Sequence, residues 1–285
     1  MNWSGYFVSF SIESPIFIGY NVSGDAERTR HYIPANNMMG ALAHAIEKEG
    51  RPVSMAAMDQ CFSFSTFFVS KDGEGALFPS LDEGGGLSYG PHGISVLDFK
   101  NQYISTREGL KYDLPAHVGE IEFITPENKI TGDQNYLVGY IFVAQNAVEE
   151  GFEAWLRSLR SMEVGEEMHH GLGKIALHEL ELCPGHGVEN VFGIPGVEAN
   201  WETQEVVMTY GEPSPLLAHT YLEYVGGDVA TLYGVQEPAK GHRDLLGRAP
   251  RSNKREAYWV PGTLIHPVSQ GVSFKMGSNG IWYLL

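Results

Sequence analysis

The chain has 285 residues, with 19 Lys plus Arg against 35 Asp plus Glu and a formal net charge of -16. That length can bury a real core without staples, and 43% hydrophobic with 19% charged residues describes a globular chain rather than a disordered acidic tail. A generally basic nucleic-acid binder is excluded, so any contact with RNA or DNA has to come from a local basic patch on an acidic background.

The two cysteines, Cys61 and Cys183, lie far apart in unlike surroundings and indicate no disulfide framework. Residues 1–10 carry neither a positive n-region nor a long apolar run, and the longest apolar stretch, 136–144, falls well short of the roughly 20 residues a bilayer crossing needs. The expectation is a cytoplasmic chain with no membrane partner.

In chain order, Tyr6, Val8, Phe10 and Ile12 alternate with smaller or polar residues, the period of a half-buried strand over 6–13. A polar, glycine-containing loop over 19–29 precedes a helix. Pro34 suits its start, Asn36 or Asn37 can cap it, and Met38, Met39, Leu42, Ala45 and Ile46 recur at helical spacing until Gly50. Residues 61–69 read as a second strand. Glycines then cluster at 73, 75, 84–86, 90 and 93, so 71–115 reads as a long insertion or projecting hairpin rather than core. Regular structure resumes at 118–124, a strand follows at 136–143, and an amphipathic helix over 148–162 places Phe152, Trp155, Leu156 and Leu159 on one face. A glycine-bearing loop, 169–174, enters a last strand at 175–182.

Strand, helix, strand, twice over, is the order of an α+β, ferredoxin-like unit. From residue 184 the texture changes to short strands, among them 206–210, 263–267, 272–276 and 281–285. The expected division is therefore a first domain over 1–183 and a smaller β-rich module over 184–285. Residues 175–239 contain no Lys or Arg and ten carboxylates, whereas 240–255 hold six basic residues against Asp244 alone.

Two segments invite a chemical reading. Gly171-Leu172-Gly173-Lys174 lacks the upstream Gly and the following Ser or Thr of a nucleotide-binding P-loop. It also follows a helix rather than a strand. What remains is a close-approach glycine turn whose amides, with His169, His170 and Lys174, suit a phosphodiester backbone; a purely structural turn is the competing reading. The helix start at Tyr32-Ile33-Pro34 offers free amides and a positive dipole end, with Asn36 and Asn37 as donors and Arg28, Arg30 and His31 just upstream. A well-capped core helix is its alternative.

Taken together, a YIPxxxxxGALA helix after the first strand and a G-L-G-K turn entering a strand after the second helix resemble the RAMP superfamily of CRISPR-associated proteins. The resemblance covers residues 1–182. It implies an RRM-related, ferredoxin-like RAMP domain whose helix start and glycine turn contact the backbone of a guide RNA. The matching residues here are 31–42 and 169–174, and the expected RNA contacts are Arg28, Arg30, His31, Tyr32, Asn36, Asn37, Met38 and Gly40, with His169, His170, Gly171, Gly173 and Lys174. The hundred residues after the turn resemble the layout of the single-copy subunit that caps the 5′ handle of the guide. In that layout 71–115 is the thumb-type hairpin, and the basic run, with Lys240, Arg243, Arg248, Arg251, Lys254 and Arg255, faces the handle or a neighbouring subunit. The partners so implied are CRISPR guide RNA and other effector subunits, including backbone RAMP subunits.

A non-catalytic scaffold is the expectation. A guide-processing or target-cleaving endoribonuclease, a repeating backbone subunit, and an unrelated α+β binding protein are the alternatives. If the chain is an enzyme, Asp25 in the first loop, with a metal, and His31 as general acid or base are the catalytic candidates. No cofactor is expected. His178, Cys183 and His186 have loose zinc-ligand spacing but no evident fourth ligand, so no metal site is expected either.

Overall fold

In a computed structural model, residues 3–23, 26–110, 118–147, 155–209, 213–222, 230–238, 257–267, 271–277 and 279–285 are described. The fold is mixed α+β, rich in sheet and poor in helix. Its central sheet is antiparallel and runs, in space, Ser161–Glu163, Lys174–Leu182, Trp3–Ile12, Tyr136–Ala144, Phe67–Ser70 and Tyr32–Ile33; Phe62–Phe64 also pairs with Tyr136–Ala144.

The strand Tyr136–Ala144 is apolar throughout because both faces of the sheet are covered. Leu137, Ile141 and Val143 point into one core, and Val138, Tyr140, Phe142 and Ala144 into another. The helix Ala35–Lys48 seals the first face with Met38, Met39, Leu42 and Ile46. The second face takes residues from the far half of the chain, including Val197, Trp201, Val206, Leu216, Phe274 and Trp282. These come from an eight-stranded sheet that includes Val197–Asn200, Glu205–Met208, Val272–Met276 and Trp282–Leu284, and from neighbouring turns.

Trp201, fully buried, lies 6.1 Å from the Phe142 ring in a stacked arrangement. It can do so because position 5 has no side chain: a Cβ on Gly5 would stand 2.9 Å from the indole. Gly5→Ala is expected to cost about 1–2 kcal/mol through overpacking. Gly40→Ala, in a helix with nothing within 4 Å of the new methyl, should instead stabilise by up to about 1 kcal/mol. Urea midpoints of the two variants, moving in opposite directions, check both.

A second, four-stranded sheet joins two hairpins, Gly19–Ser23 with Ala26–Thr29 and Ile104–Leu110 with Val118–Ile124, through parallel pairing of Glu120 with Ala26. Glu122, buried, ties the junction: Lys100 Nζ is 3.1 Å and Arg28 Nη1 3.5 Å from its Oε1, and the Thr29 N–H donates to its Oε2 at 3.3 Å.

The structure departs from the sequence reading at several points. Within 19–29, Gly19–Ser23 and Ala26–Thr29 are strands paired with each other rather than a loop, and Ala26–Thr29 also pairs with Val118–Ile124. Met55–Cys61 forms a helix that the strand reading of 61–69 overlooked, and the strand is split into Phe62–Phe64 and Phe67–Ser70. The helix expected over 148–162 is helical at Trp155–Ser158, while Ser161–Glu163 leaves it to pair with Lys174–Ala176; residues 148–154 lie outside the described set. Much of 71–115 is core: Leu77, Tyr89, Phe99 and Tyr103 are buried in the main cluster, with the Tyr89 and Phe99 rings stacked 3.9 Å apart. The strands Ile104–Leu110 and Val118–Ile124 belong to the four-stranded sheet, and residues 111–117 are not described. Among the described residues no helix is long and apolar enough to cross a membrane.

Candidate nucleic-acid interface

Pairing of Glu163 with Lys174 makes residues 164–173 the reversal between two strands at the sheet edge. Gly173 has φ +83, and a Cβ there would lie 2.1 Å from the Val164 carbonyl oxygen. Only glycine permits this approach. The Val164 N–H donates to the Gly173 carbonyl at 2.8 Å, the Gly173 N–H to Pro15 O at 2.8 Å, and the Glu166 N–H to Phe17 O at 2.9 Å. Within the reversal, a single 3₁₀ turn over Met168–His170 is closed by His170 N–H donating to Glu167 O and Gly171 N–H to Met168 O, both 2.9 Å. His169, His170, Gly171 and Lys174 therefore stand outward on a fixed backbone, and all are exposed.

The sequence reading of the turn overlooked Glu167. Its Oε2 lies 3.6 Å from His169 Nε2 and 3.4 Å from His170 Nε2. Beside it, burial, with the neighbouring Glu27 and Glu167 charges, pushes Glu166 above the usual carboxylate range. The glycine turn and the hairpin of residues 19–29 are thus neighbours.

The segment entering the first helix holds the other expected contacts, and most face protein. Arg28 keeps 36% of its side chain exposed while lying 3.5 Å from Glu122. Arg30 pairs with Glu237: Nη1 donates to Oε1 at 3.0 Å and Nη2 to Oε2 at 2.5 Å, and Nη1 also donates to Tyr32 Oη at 2.9 Å. Tyr32 is buried, with Oη 3.3 Å from His219 Nε2, and burial drives its phenol well above the ordinary value. His31 Nδ1 lies 2.5 Å from Tyr89 Oη. Burial, assisted by Lys100, pushes the His31 imidazole down to about 4, which favours the neutral ring at pH 7. A partly open cavity of about 230 Å³ is lined by Tyr20, Arg30, His31, Tyr89, Glu237 and Val260, among others.

At the helix, the cap is Pro34 rather than an asparagine. Its carbonyl accepts from the Asn37 and Met38 N–H groups at 3.0 and 3.3 Å, and the exposed Asn36 turns its own Oδ1 onto the Asn37 N–H at 3.0 Å. Met38 is fully buried, and Gly40 borders open space. Lys48 at the far end bonds Glu163, the register partner of Lys174, at 2.5 Å. A 14-residue helix is about 21 Å long. The helix start and the glycine turn therefore stand at opposite ends of one helix rather than in one pocket.

Asp25 and the basic run, Lys240, Arg243, Arg248, Arg251, Lys254 and Arg255, lie outside the described residues. The trio His178, Cys183 and His186 does not converge, and His186 Nδ1 pairs with Glu202 at 2.9 Å. Among the described residues the potential metal ligands that do converge are Glu167, His169 and His170, whose ligand atoms all lie within 4.8 Å of one another.

No protein-family model and no curated protein matches the chain. Among solved structures it is similar to a chain of the type III-B Cmr-beta complex bound to cognate target RNA and AMPPnP, at 9% identity and TM-score 0.48, over 91% of this chain and 85% of that one. A chain of a type IV-B CRISPR complex matches at 11% identity and TM-score 0.39, over 63% of this chain and 90% of that one. Oligomeric Cmr4 from Pyrococcus furiosus matches at 12% identity and TM-score 0.33, over 64% of this chain and all of that one.

Proposed function

We propose that this chain is an RNA-binding scaffold subunit of a CRISPR effector complex and that it holds the 5′ handle of the guide RNA. The observation that carries the reading is the glycine turn. Residues 171–174 combine the motif expected of a backbone-phosphate contact with a rigid reversal at the edge of the central sheet and an exposed Lys174. The hairpin bearing Arg28 stands alongside.

The spatial order of the main strands, last, first, third, second, with a helix on one face, supports a ferredoxin-like, RRM-related first domain ending near residue 183. In this reading RNA runs from the glycine turn along the length of the first helix toward Asn36 and Gly40. The partly buried Arg30 and His31 and the buried Tyr32 and Met38 shape the wall behind it, and the run from Lys240 to Arg255 adds positive charge. The acidic stretch 175–239 keeps RNA off the remaining surface and suits basic partner subunits.

Replacing both Lys174 and Arg28 by alanine is expected to weaken binding of a single-stranded guide RNA about tenfold. It should also lower the slope of log affinity against log salt by about 1–2, as loss of phosphate contacts requires. Fluorescence anisotropy across a salt series reads both quantities, and sequencing of co-purifying RNA should return a common 5′ tag. Unchanged affinity in the double variant overturns the reading; cleavage of the RNA by the wild-type chain replaces it with an endoribonuclease.

A further inference from the structure

We propose that Glu167, His169 and His170 bind a zinc-class transition-metal dication, and that this ion presents an open coordination position to an RNA phosphate. The second clause rests on the RNA-binding reading above.

Two imidazoles and one carboxylate are the donor set that suits zinc and its first-row neighbours, and three protein ligands leave room for a water or a substrate oxygen. The distances fit. Metal–ligand bonds of about 2.0–2.1 Å place the donors of a tetrahedral site about 3.3–3.4 Å apart. Glu167 Oε2 is 3.4 Å from His170 Nε2 and 3.6 Å from His169 Nε2. All three donors sit within one turn whose backbone is fixed by His170 N–H to Glu167 O and Gly171 N–H to Met168 O, so little ordering is needed on binding. The His169 side chain is 70% exposed, which leaves the ion open to solvent on one side.

The competing explanation is a pair of His–Glu ion pairs. Both Nε2 atoms would then have to approach a single carboxylate oxygen, at 3.4 and 3.6 Å, longer than the roughly 2.7–3.2 Å of an ordinary N–H···O bond. One dication supplies the positive charge at a single point for all three donors. It also addresses a weakness of the turn as a phosphate site: Glu166 and Glu167 are neighbouring negative charges, and a bound dication offsets them while offering the phosphate a direct ligand position.

The test is calorimetric titration of the full, chelator-stripped chain with Zn²⁺ in the absence of RNA, with Co²⁺ absorption as a second probe. One equivalent should bind in the wild type. Glu167→Ala, His169→Ala and His170→Ala should each weaken it about tenfold or more while leaving the metal-free melting temperature unchanged. His186→Ala, at a separate surface His–Glu pair, should bind as the wild type does. Equal zinc affinity in all four variants, or none in the wild type, overturns the site. Zinc should then raise RNA affinity in the wild type and not in His169→Ala. Zinc binding with no such effect overturns the phosphate role. Failure of RNA binding altogether sinks the functional reading while the zinc titration still decides the site.

Discussion

Glu237→Ala is expected to destabilise the chain by about 2–3 kcal/mol at neutral pH, more than a surface ion pair could account for. Arg30 keeps 13% of its side chain exposed and Glu237 26%, so removing the carboxylate strands a guanidinium in a largely closed site, with Tyr32 Oη and the Tyr20 ring as remaining partners. Burial pushes the Glu237 carboxyl upward, but His219, with Nε2 3.9 Å away, and the two-pronged Arg30 outweigh it and hold the group at about 2 against an ordinary 4.5. A carboxylate held low in the folded state contributes stability that is complete above the unfolded value and is lost as pH falls toward the folded one. The gap between wild type and Glu237→Ala should therefore be full at pH 7, begin to close below about 4.5, and be small near pH 2. Urea unfolding across that range measures it, and a gap that does not change with pH would show that the charged carboxylate is not what holds Arg30. Replacing both partners together, Arg30→Met with Glu237→Leu, should recover most of the loss, because the penalty arises from an unpaired buried charge.

The pair also marks where sequence reasoning runs out. The central sheet is legible: alternation over 6–13 and the apolar run at 136–143 report strands whose faces are buried, and the spacing of Met38, Leu42 and Ile46 reports the helix that covers one of them. Residues 155–162 mislead because Trp155, Leu159 and Met162 satisfy helical spacing, while Ser161–Glu163 is decided by the strand Lys174–Leu182 beside it. Likewise Gly19–Ser23 and Ala26–Thr29 carry no clear apolar alternation, and the sheet that Ala26–Thr29 joins is completed by a hairpin some ninety residues away. At the site, glycine spacing exposed the turn at 171–173, because a positive φ and a close backbone approach leave a residue-level signature. Arg30, Tyr32 and His31 carry none. Their partners Glu237, His219 and Tyr89 are 207, 187 and 58 residues away. The acidic stretch 175–239, which in the sequence looks like a bar to RNA, also supplies Glu237, the carboxylate that pairs with Arg30.

The two glycines of the turn give the sharpest test of how Lys174 is positioned. Both have positive φ, +80 at Gly171 and +83 at Gly173, so an L side chain carries a backbone cost of about 1–2 kcal/mol at either. They differ in space. A methyl at Gly171 meets nothing within 4 Å, whereas one at Gly173 would lie 2.1 Å from the Val164 carbonyl oxygen, 3.1 Å from the carbonyl carbon and 3.2 Å from the nitrogen. Val164 cannot retreat without breaking its N–H bond to Gly173 O, and Gly173 cannot move without losing its own N–H bond to Pro15 O. Each lost bond leaves a polar group in a tight site unpartnered. Gly171→Ala should therefore cost about 1 kcal/mol and leave RNA affinity within a few-fold of wild type. Gly173→Ala should cost about 3 kcal/mol or more and reduce RNA affinity at least as far as Lys174→Ala does, because the lysine it leads into is no longer aimed from a fixed turn. Urea midpoints and RNA anisotropy on the two single variants decide the matter. Equal losses at both positions would mean that chain conformation alone, and not the Val164 contact, sets the turn, and the case for a preorganised phosphate contact at Lys174 would fall with it.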